Sequence, residues 1–147
     1  MNDLKIRLIN TSQNPIPAYA THGSSGMDLR ASVDLPLFLK PLQRLLIPTG
    51  LYMEIPPGYE AQIRPRSGIA LKQGITCLNT PGTIDSDYRG EVKVLLINLS
   101  GELQQINNGD RIAQLVIAKT ERAELIVVQQ LEDTVRGEGG FGHTGLK

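Results

Sequence analysis

The chain has 147 residues, and its 15 basic side chains balance 15 acidic ones to a formal net charge of zero. That length suits one well-buried core and is short for two ordinary domains, while no stretch gathers Lys and Arg into the basic face that duplex DNA or RNA requires. Cys77 is the only cysteine, so no intrachain disulfide can form; no run is long enough for a membrane span, and MNDLKIRLIN lacks the apolar core of a signal peptide. These features predict a protein of the reducing cytoplasm.

LKIRLI alternates Leu4, Ile6 and Leu8 with Lys5 and Arg7, the period-two pattern of a half-buried strand. In HGSSGMDLRA, Asp28 follows two serines and a glycine, and either caps local backbone or touches a metal. MDLRAS, RLLIPTGLYMEI and YEAQIRP read as further strands, the last two separated by the turn pair Pro57-Gly58. RPRSGIALKQG holds the one helical piece, in which Ser67 can cap the first turn and Gly74 can end the last. Arg66 adds a permanent positive fork. This element is therefore either an ordinary capped helix or a helix start facing an anion.

NTPGTIDSDYRGEVKV is the most informative stretch. Pro81-Gly82 suits the centre of a tight hairpin turn, Pro fixing φ at the first central position and Gly tolerating positive φ at the second. Asn79 lies on one arm, Ile84 and Asp85 on the other. In one reading this is a surface hairpin whose Asp85 and Asp87 are solvated charges. In the other, the hairpin backbone and the Asn79 amide, which is both donor and acceptor, read the edge of a pyrimidine. Asp85 then stands as a general base, and the Tyr88 ring can pack on a sugar.

EVKVLLINL, RIAQLVIA and ELIVVQQ complete the strands, bounded by Ser100-Gly101 and by Asn107 to Asp110. An all-β sandwich or barrel with one short helix follows. Gln114 interrupts an apolar strand, either as a satisfied amide or as a ligand group. There is no internal repeat and no linker before about Asp133, which divides the chain into a barrel over 1–132 and a glycine-rich tail over 133–147.

The tail contains GEGGFGHT, which matches the phosphate-cradling pattern G-x-x-x-x-G-K-[ST] except that His143 replaces the lysine. That loop needs a helix after it, and only Gly145, Leu146 and Lys147 follow, so a P-loop ATPase is not expected. Either the tail frays, as chain ends commonly do, or its glycine N–H groups converge on an anion with help from Arg136, Phe141 and Thr144.

Five stretches in this order resemble the trimeric dUTPase family. They are Ser25 to Leu29, Pro65 to Gly68, Gly82 to Gly90, Gly109 to Leu115, and Arg136 to Gly142, and they span nearly the whole chain. The resemblance implies a jelly-roll-like, distorted β-barrel forming a homotrimer, with a flexible C-terminal arm and three active sites each built from segments of all three subunits. It implies hydrolysis of dUTP at the α-phosphorus to dUMP and pyrophosphate, which limits uracil incorporation into DNA and supplies dUMP for thymidylate synthesis.

By the same resemblance, uracil is read by Asn79 and the hairpin residues Gly82, Thr83 and Ile84, and Asp85 deprotonates the attacking water. Tyr88 packs beneath deoxyribose and leaves no room for a 2′-hydroxyl. Arg66, Ser67, Gly68 and Gln114 hold the phosphates, and Lys93 approaches from the next strand. Phe141 closes over the base, Arg136 neutralises the phosphates, and Gly142, His143 and Thr144 complete the lid. Mg²⁺ bridges triphosphate oxygens, with Asp28 reaching it at most through water. Family tails usually carry serine where His143 stands, so that contact falls to an imidazole or a backbone N–H; Ser25 replaces a common alanine.

Two alternatives share the fold. A dCTP deaminase normally needs a glutamate base beside the pyrimidine and a longer chain, and lacks the RGxGGFG tail. A non-catalytic nucleotide-sensing or partner-binding trimer would carry a degenerate site, whereas Asp85, Tyr88 and Arg136 are all present.

Overall fold

Period-two patterning, with apolar side chains on one face of each strand, builds two four-stranded sheets. In the computed structural model, which describes residues 4–141, the strands are β1 (Arg7–Asn10), β2 (Met27–Arg30), β3 (Leu37–Leu39), β4 (Arg44–Glu54), β5 (Tyr59–Arg64), β6 (Ile75–Cys77), β7 (Gly82–Ile84), β8 (Glu91–Asn98), β9 (Gln104–Ile106) and β10 (Arg111–Lys119). Helix α1 spans Ser67–Gln73. One sheet runs β1-β4-β8-β6, the other β2-β10-β5-β7, and β3 pairs with β9 in a small ribbon. All the pairings are antiparallel. The expected all-β architecture with one short helix is what the chain adopts.

The core lies between the sheets. Strand β8 shows how it is made: Val92, Val94 and Leu96 point inward while Lys93 points out. Leu29 from β2, Ile47 from β4 and Leu115 from β10 meet them, all fully buried. Asn98 is buried too, and its amide is fully used. Its Nδ2 donates to the carbonyls of Leu39 (2.9 Å) and Glu102 (2.7 Å), while Oδ1 accepts from the Ser100 N–H (2.9 Å) and hydroxyl (2.7 Å). Strand β4 slips register on β8 between Pro48 and Leu51. Gly50 permits this, with φ of 72° and no room for a side chain, since a Cβ there would stand 2.9 Å from the Ser12 backbone nitrogen.

Three local expectations change. Helix α1 is capped by Arg66 in extended conformation and not by Ser67, which is the first helical residue; no side chain bonds the first turn. The Arg66 guanidinium has only donors and so accepts no helix N–H; it donates instead to Asp28. Gly74 does end the helix, left-handed at φ 65°, its N–H directed to the Ala70 and Ile69 carbonyls. Pro81-Gly82 is not the centre of a positive-φ turn: the Thr80–Pro81 peptide is cis and Gly82 opens β7. The chain here crosses between sheets, from β6 on β8 to β7 on β5, instead of folding back on itself.

The third change concerns ELIVVQQ. The last strand ends at Lys119, the Thr120 N–H donates to the Gly58 carbonyl at 3.0 Å, and among the described residues no strand follows. Leu125, Ile126, Val127, Val128 and Leu131 all stand exposed. The residues have strand character, but a strand needs an edge to pair with, and none of the described residues brings one to them. The strand over LKIRLI begins only at Arg7.

Candidate active site

Strand β7 pairs with β5 through Ala61↔Ile84, Gln62↔Thr83 and Ile63↔Gly82. Gly82 is needed here for closeness, because a Cβ would lie 3.3 Å from both the Asn79 Nδ2 and the Ile63 Cβ. Ile84 anchors the strand in the core, so the chain delivers Asp85 to the surface one residue later. A tight turn then joins the two candidate chemical groups, the Tyr88 N–H donating to the Asp85 carbonyl at 3.1 Å. Arg89 clamps this turn from outside, its Nη1 donating to the carbonyls of Ser86 (2.7 Å) and Tyr88 (3.0 Å). Beyond it the Arg89 guanidinium comes within 4.0 Å of Glu54, whose carboxyl a hydrogen bond from Arg7 holds below its usual value.

The Tyr88 hydroxyl donates to the Glu91 carbonyl at 3.0 Å. The Glu91 carboxylate in turn accepts the Gly50 N–H (2.9 Å) and lies 3.7 Å from Lys93 Nζ. The result is a cleft of about 260 Å³ walled by Asn79, Gly82, Thr83, Ile84, Asp85, Tyr88 and Lys93, with Leu46, Ile63 and Val92 contributing apolar surface. It offers one flat ring, one exposed carboxylate, one ammonium group and an amide. That combination can take a polar heterocycle, pack its attached sugar and place a base near an electrophile.

A second group of residues gathers where β2, β5 and β10 meet. Asp28 on β2 faces Gln114 on β10, which faces Arg64 on β5. The Asp28 carboxylate is held by two arginines, Arg66 Nε at 2.8 Å on one oxygen and Arg111 Nη1 at 3.3 Å on the other. Arg66 also donates to the Arg111 carbonyl at 3.1 Å. Gln114 borders a hollow of about 240 Å³ with Ser24, Ser25, Asp28 and Arg64, and Arg66 borders another of about 270 Å³ with Gln73, Gln105 and Asp110. Ser67 and Gly68 are exposed at the start of α1.

The candidate residues therefore form two sets. Asn79, Gly82, Thr83, Ile84, Asp85, Tyr88 and Lys93 share one cleft, whereas Arg66, Ser67, Gly68 and Gln114 do not line it. Arg136 and Phe141 belong to the exposed tail, where Arg136 Nε donates to the Gly139 carbonyl at 2.7 Å. Gly142, His143 and Thr144 lie outside the described residues. Among the described residues no three His, Cys, Asp or Glu side chains are grouped to hold a metal, and Asp28 is already paired with arginine. A divalent ion here would have to arrive with its own oxygen ligands.

Sequence reasoning assigned no role to Arg89, Gly90, Glu91 or Arg111. The first three follow Tyr88 directly, and a glycine opening an apolar strand is a signal of close approach. The Asp28 to Arg111 pairing spans 83 residues and is set by strand pairing alone.

Two antiparallel sheets with a cleft walled by strand residues of both and by Asn79, Asp85 and Tyr88 define an all-β small-ligand protein. The chain belongs to the dUTPase family, whose model, described as dUTPase, matches residues 12–145. A deoxyuridine 5'-triphosphate nucleotidohydrolase of Finegoldia magna is 57% identical over 142 residues, covering 97% of this chain and 99% of the relative. One from Treponema denticola is 60% identical over 131 residues, covering 89% of this chain and 91% of the relative. Among solved structures, a Staphylococcus bacteriophage 80alpha dUTPase mutant with dUpNHpp superposes with a TM-score of 0.85 at 25% identity, covering 97% of this chain and 99% of that one.

Proposed function

We propose that the chain is a dUTP diphosphatase, cleaving dUTP at the α-phosphorus to dUMP and pyrophosphate. The observation that carries this reading is the convergence of Asn79, the β7 backbone, Asp85 and Tyr88 on one cleft. Uracil lies against Gly82 to Ile84 and the Asn79 amide, which together match its alternating donors and acceptors. Deoxyribose packs on the Tyr88 ring, and the phosphates run outward past Asp85. Water held by the Asp85 carboxylate attacks the α-phosphorus, Asp85 takes its proton, and the bond to the bridging oxygen breaks to release pyrophosphate. The product supplies dUMP and keeps dUTP from DNA synthesis. The single buried thiol suits the cytoplasm.

Arg66, Ser67, Gly68 and Gln114 are the phosphate ligands in this reading. Because none of them lines the Asp85 cleft, and Arg66 and Gln114 border other hollows, they serve a neighbouring copy's cleft, and the working particle is a homotrimer with composite sites. The exposed apolar run from Leu125 to Leu131 supports such an assembly, since it is not buried against any of the described residues. Mg²⁺, bound to the triphosphate oxygens and waters, would supply charge neutralisation; Asp28, engaged by Arg66 and Arg111, would meet it only through water. The tail carries Arg136 to the phosphates and Phe141 to the base, with Gly142, His143 and Thr144 closing behind them.

Pyrophosphate release from dUTP, dCTP, dTTP and UTP, measured side by side, tests the proposal. dUTP should be strongly preferred over all three. Equal rates, or a preference for dCTP with ammonia released, would overturn it.

A further inference from the structure

We propose that Gly90 is a specificity-determining position for sugar selection, acting by clearing the space in which the Tyr88 ring lies. This rests on the reading that Tyr88 packs beneath deoxyribose. A Cβ on Gly90 would stand 2.9 Å from Tyr88 Cε2 and closer still to Cζ and the hydroxyl oxygen. The distal edge of the ring thus fills the space that a Gly90 side chain would need, its hydroxyl reaching on to the Glu91 carbonyl at 3.0 Å. Gly90 has no positive φ, so its backbone accepts alanine, and the obstacle is the ring alone.

The contrast with other crowded glycines is informative. At Gly50 and Gly74 an added Cβ meets backbone of another segment, Ser12 and Ser100 respectively, where nothing can yield. At Gly90 it meets the far end of a side chain that is 45% exposed. A methyl group there displaces the ring and breaks its hydrogen bond to Glu91 without opening the core. The turn that holds Asp85 is fastened separately, by the Tyr88 N–H and by Arg89. Gly90 is therefore a positioning residue: it touches no substrate and acts through Tyr88, whose height decides whether a 2′-hydroxyl fits.

The experiment compares kcat/KM for dUTP and UTP in four proteins: the unmodified chain, Gly90→Ala, Tyr88→Ala and the double variant. The ratio should fall at least about tenfold in Gly90→Ala, the lower end of what the fit of one group contributes to discrimination. It should not fall further when Gly90→Ala is added to Tyr88→Ala, because the ring that the methyl displaces is gone. An unchanged ratio in Gly90→Ala, or a further drop in the double variant, would overturn the inference. If Gly90→Ala alone does not fold, restoration of folding in the double variant supports the same clearance role and failure to restore it refutes it. A chain without dUTP preference, or a Tyr88→Ala variant that keeps it, would instead defeat the underlying reading of Tyr88.

Discussion

Asp85 and Cys77 show how one strand's length decides a residue's chemistry. Ile84 is buried and Asp85, one position on, is exposed at the mouth of the cleft, so the carboxylate meets solvent and substrate while its backbone is tied to Tyr88. Asp85→Asn keeps the shape and removes the base. Turnover of dUTP should fall by about 10²–10⁴-fold while binding of a non-hydrolysable analogue, measured by calorimetry, stays within a few-fold. Unchanged turnover would mean that another group activates the water. Cys77 has the opposite environment: it is 2% exposed on β6, and burial pushes its thiol from an ordinary value near 9 up to about 11. Folding favours the neutral thiol, so this stabilisation is whole below pH 9 and is lost as pH rises to about 11. Urea midpoints taken from pH 8 to 11 should fall less steeply for Cys77→Ala than for the unmodified chain. At this scale the sequence was most readable where residues lie close in the chain, as with Asp85 and Tyr88, which one tight turn brings to the same cleft. Gly90 lay in plain sight beside Tyr88, but its role depends on where a side chain two residues earlier folds back.

The elements that carry the site are short, and their pairing does what their sequences do not announce. The long strands β4, β8 and β10 were legible from alternation, whereas β3, β6, β7 and β9 have three residues each, too few to show a period. Helix α1 was legible through Gly74, but its start lay one residue earlier than the Ser67 cap, at Arg66, whose side chain pairs with a carboxylate 38 residues away. That pairing makes a prediction. Asp28 holds Arg66 at 2.8 Å and Arg111 at 3.3 Å with about a quarter of its side chain exposed, so the pair is partly screened and worth about 1 kcal/mol. Asp28→Asn should weaken dUTP-analogue binding roughly fivefold through a less well aimed Arg66, with kcat at saturating substrate little changed. A loss confined to kcat, or a loss that vanishes when magnesium is raised, would assign Asp28 to the metal instead of to Arg66.

At the scale of the whole molecule, one chain presents two separate sets of candidate residues and an exposed apolar arm. Burying Leu125, Ile126, Val127, Val128 and Leu131 on another copy would contribute on the order of 1.5–3 kcal/mol each, enough to hold an assembly together, and sedimentation should show three copies per particle. ELIVVQQ reads as a strand in the sequence and finds no partner among the described residues, because strand character says nothing about whose edge will be used. The arm and the glycine-rich end beyond it are separable by truncation. Removing everything after Val135 keeps the apolar arm and discards Arg136, Phe141 and the glycine donors. The trimer and its thermal midpoint should be retained, since a glycine-rich sequence has little apolar surface to bury. Turnover should nevertheless fall by about 10²-fold or more, as the groups that hold the triphosphate in attack geometry and exclude water are gone. Affinity should fall less, because base and sugar contacts stay with β7 and Tyr88. Removing everything after Thr120 discards the arm as well and should leave smaller particles with a lowered midpoint. If the shorter deletion already dissolves the trimer, the glycine-rich end is a structural clasp; if it leaves turnover intact, that end has no part in catalysis.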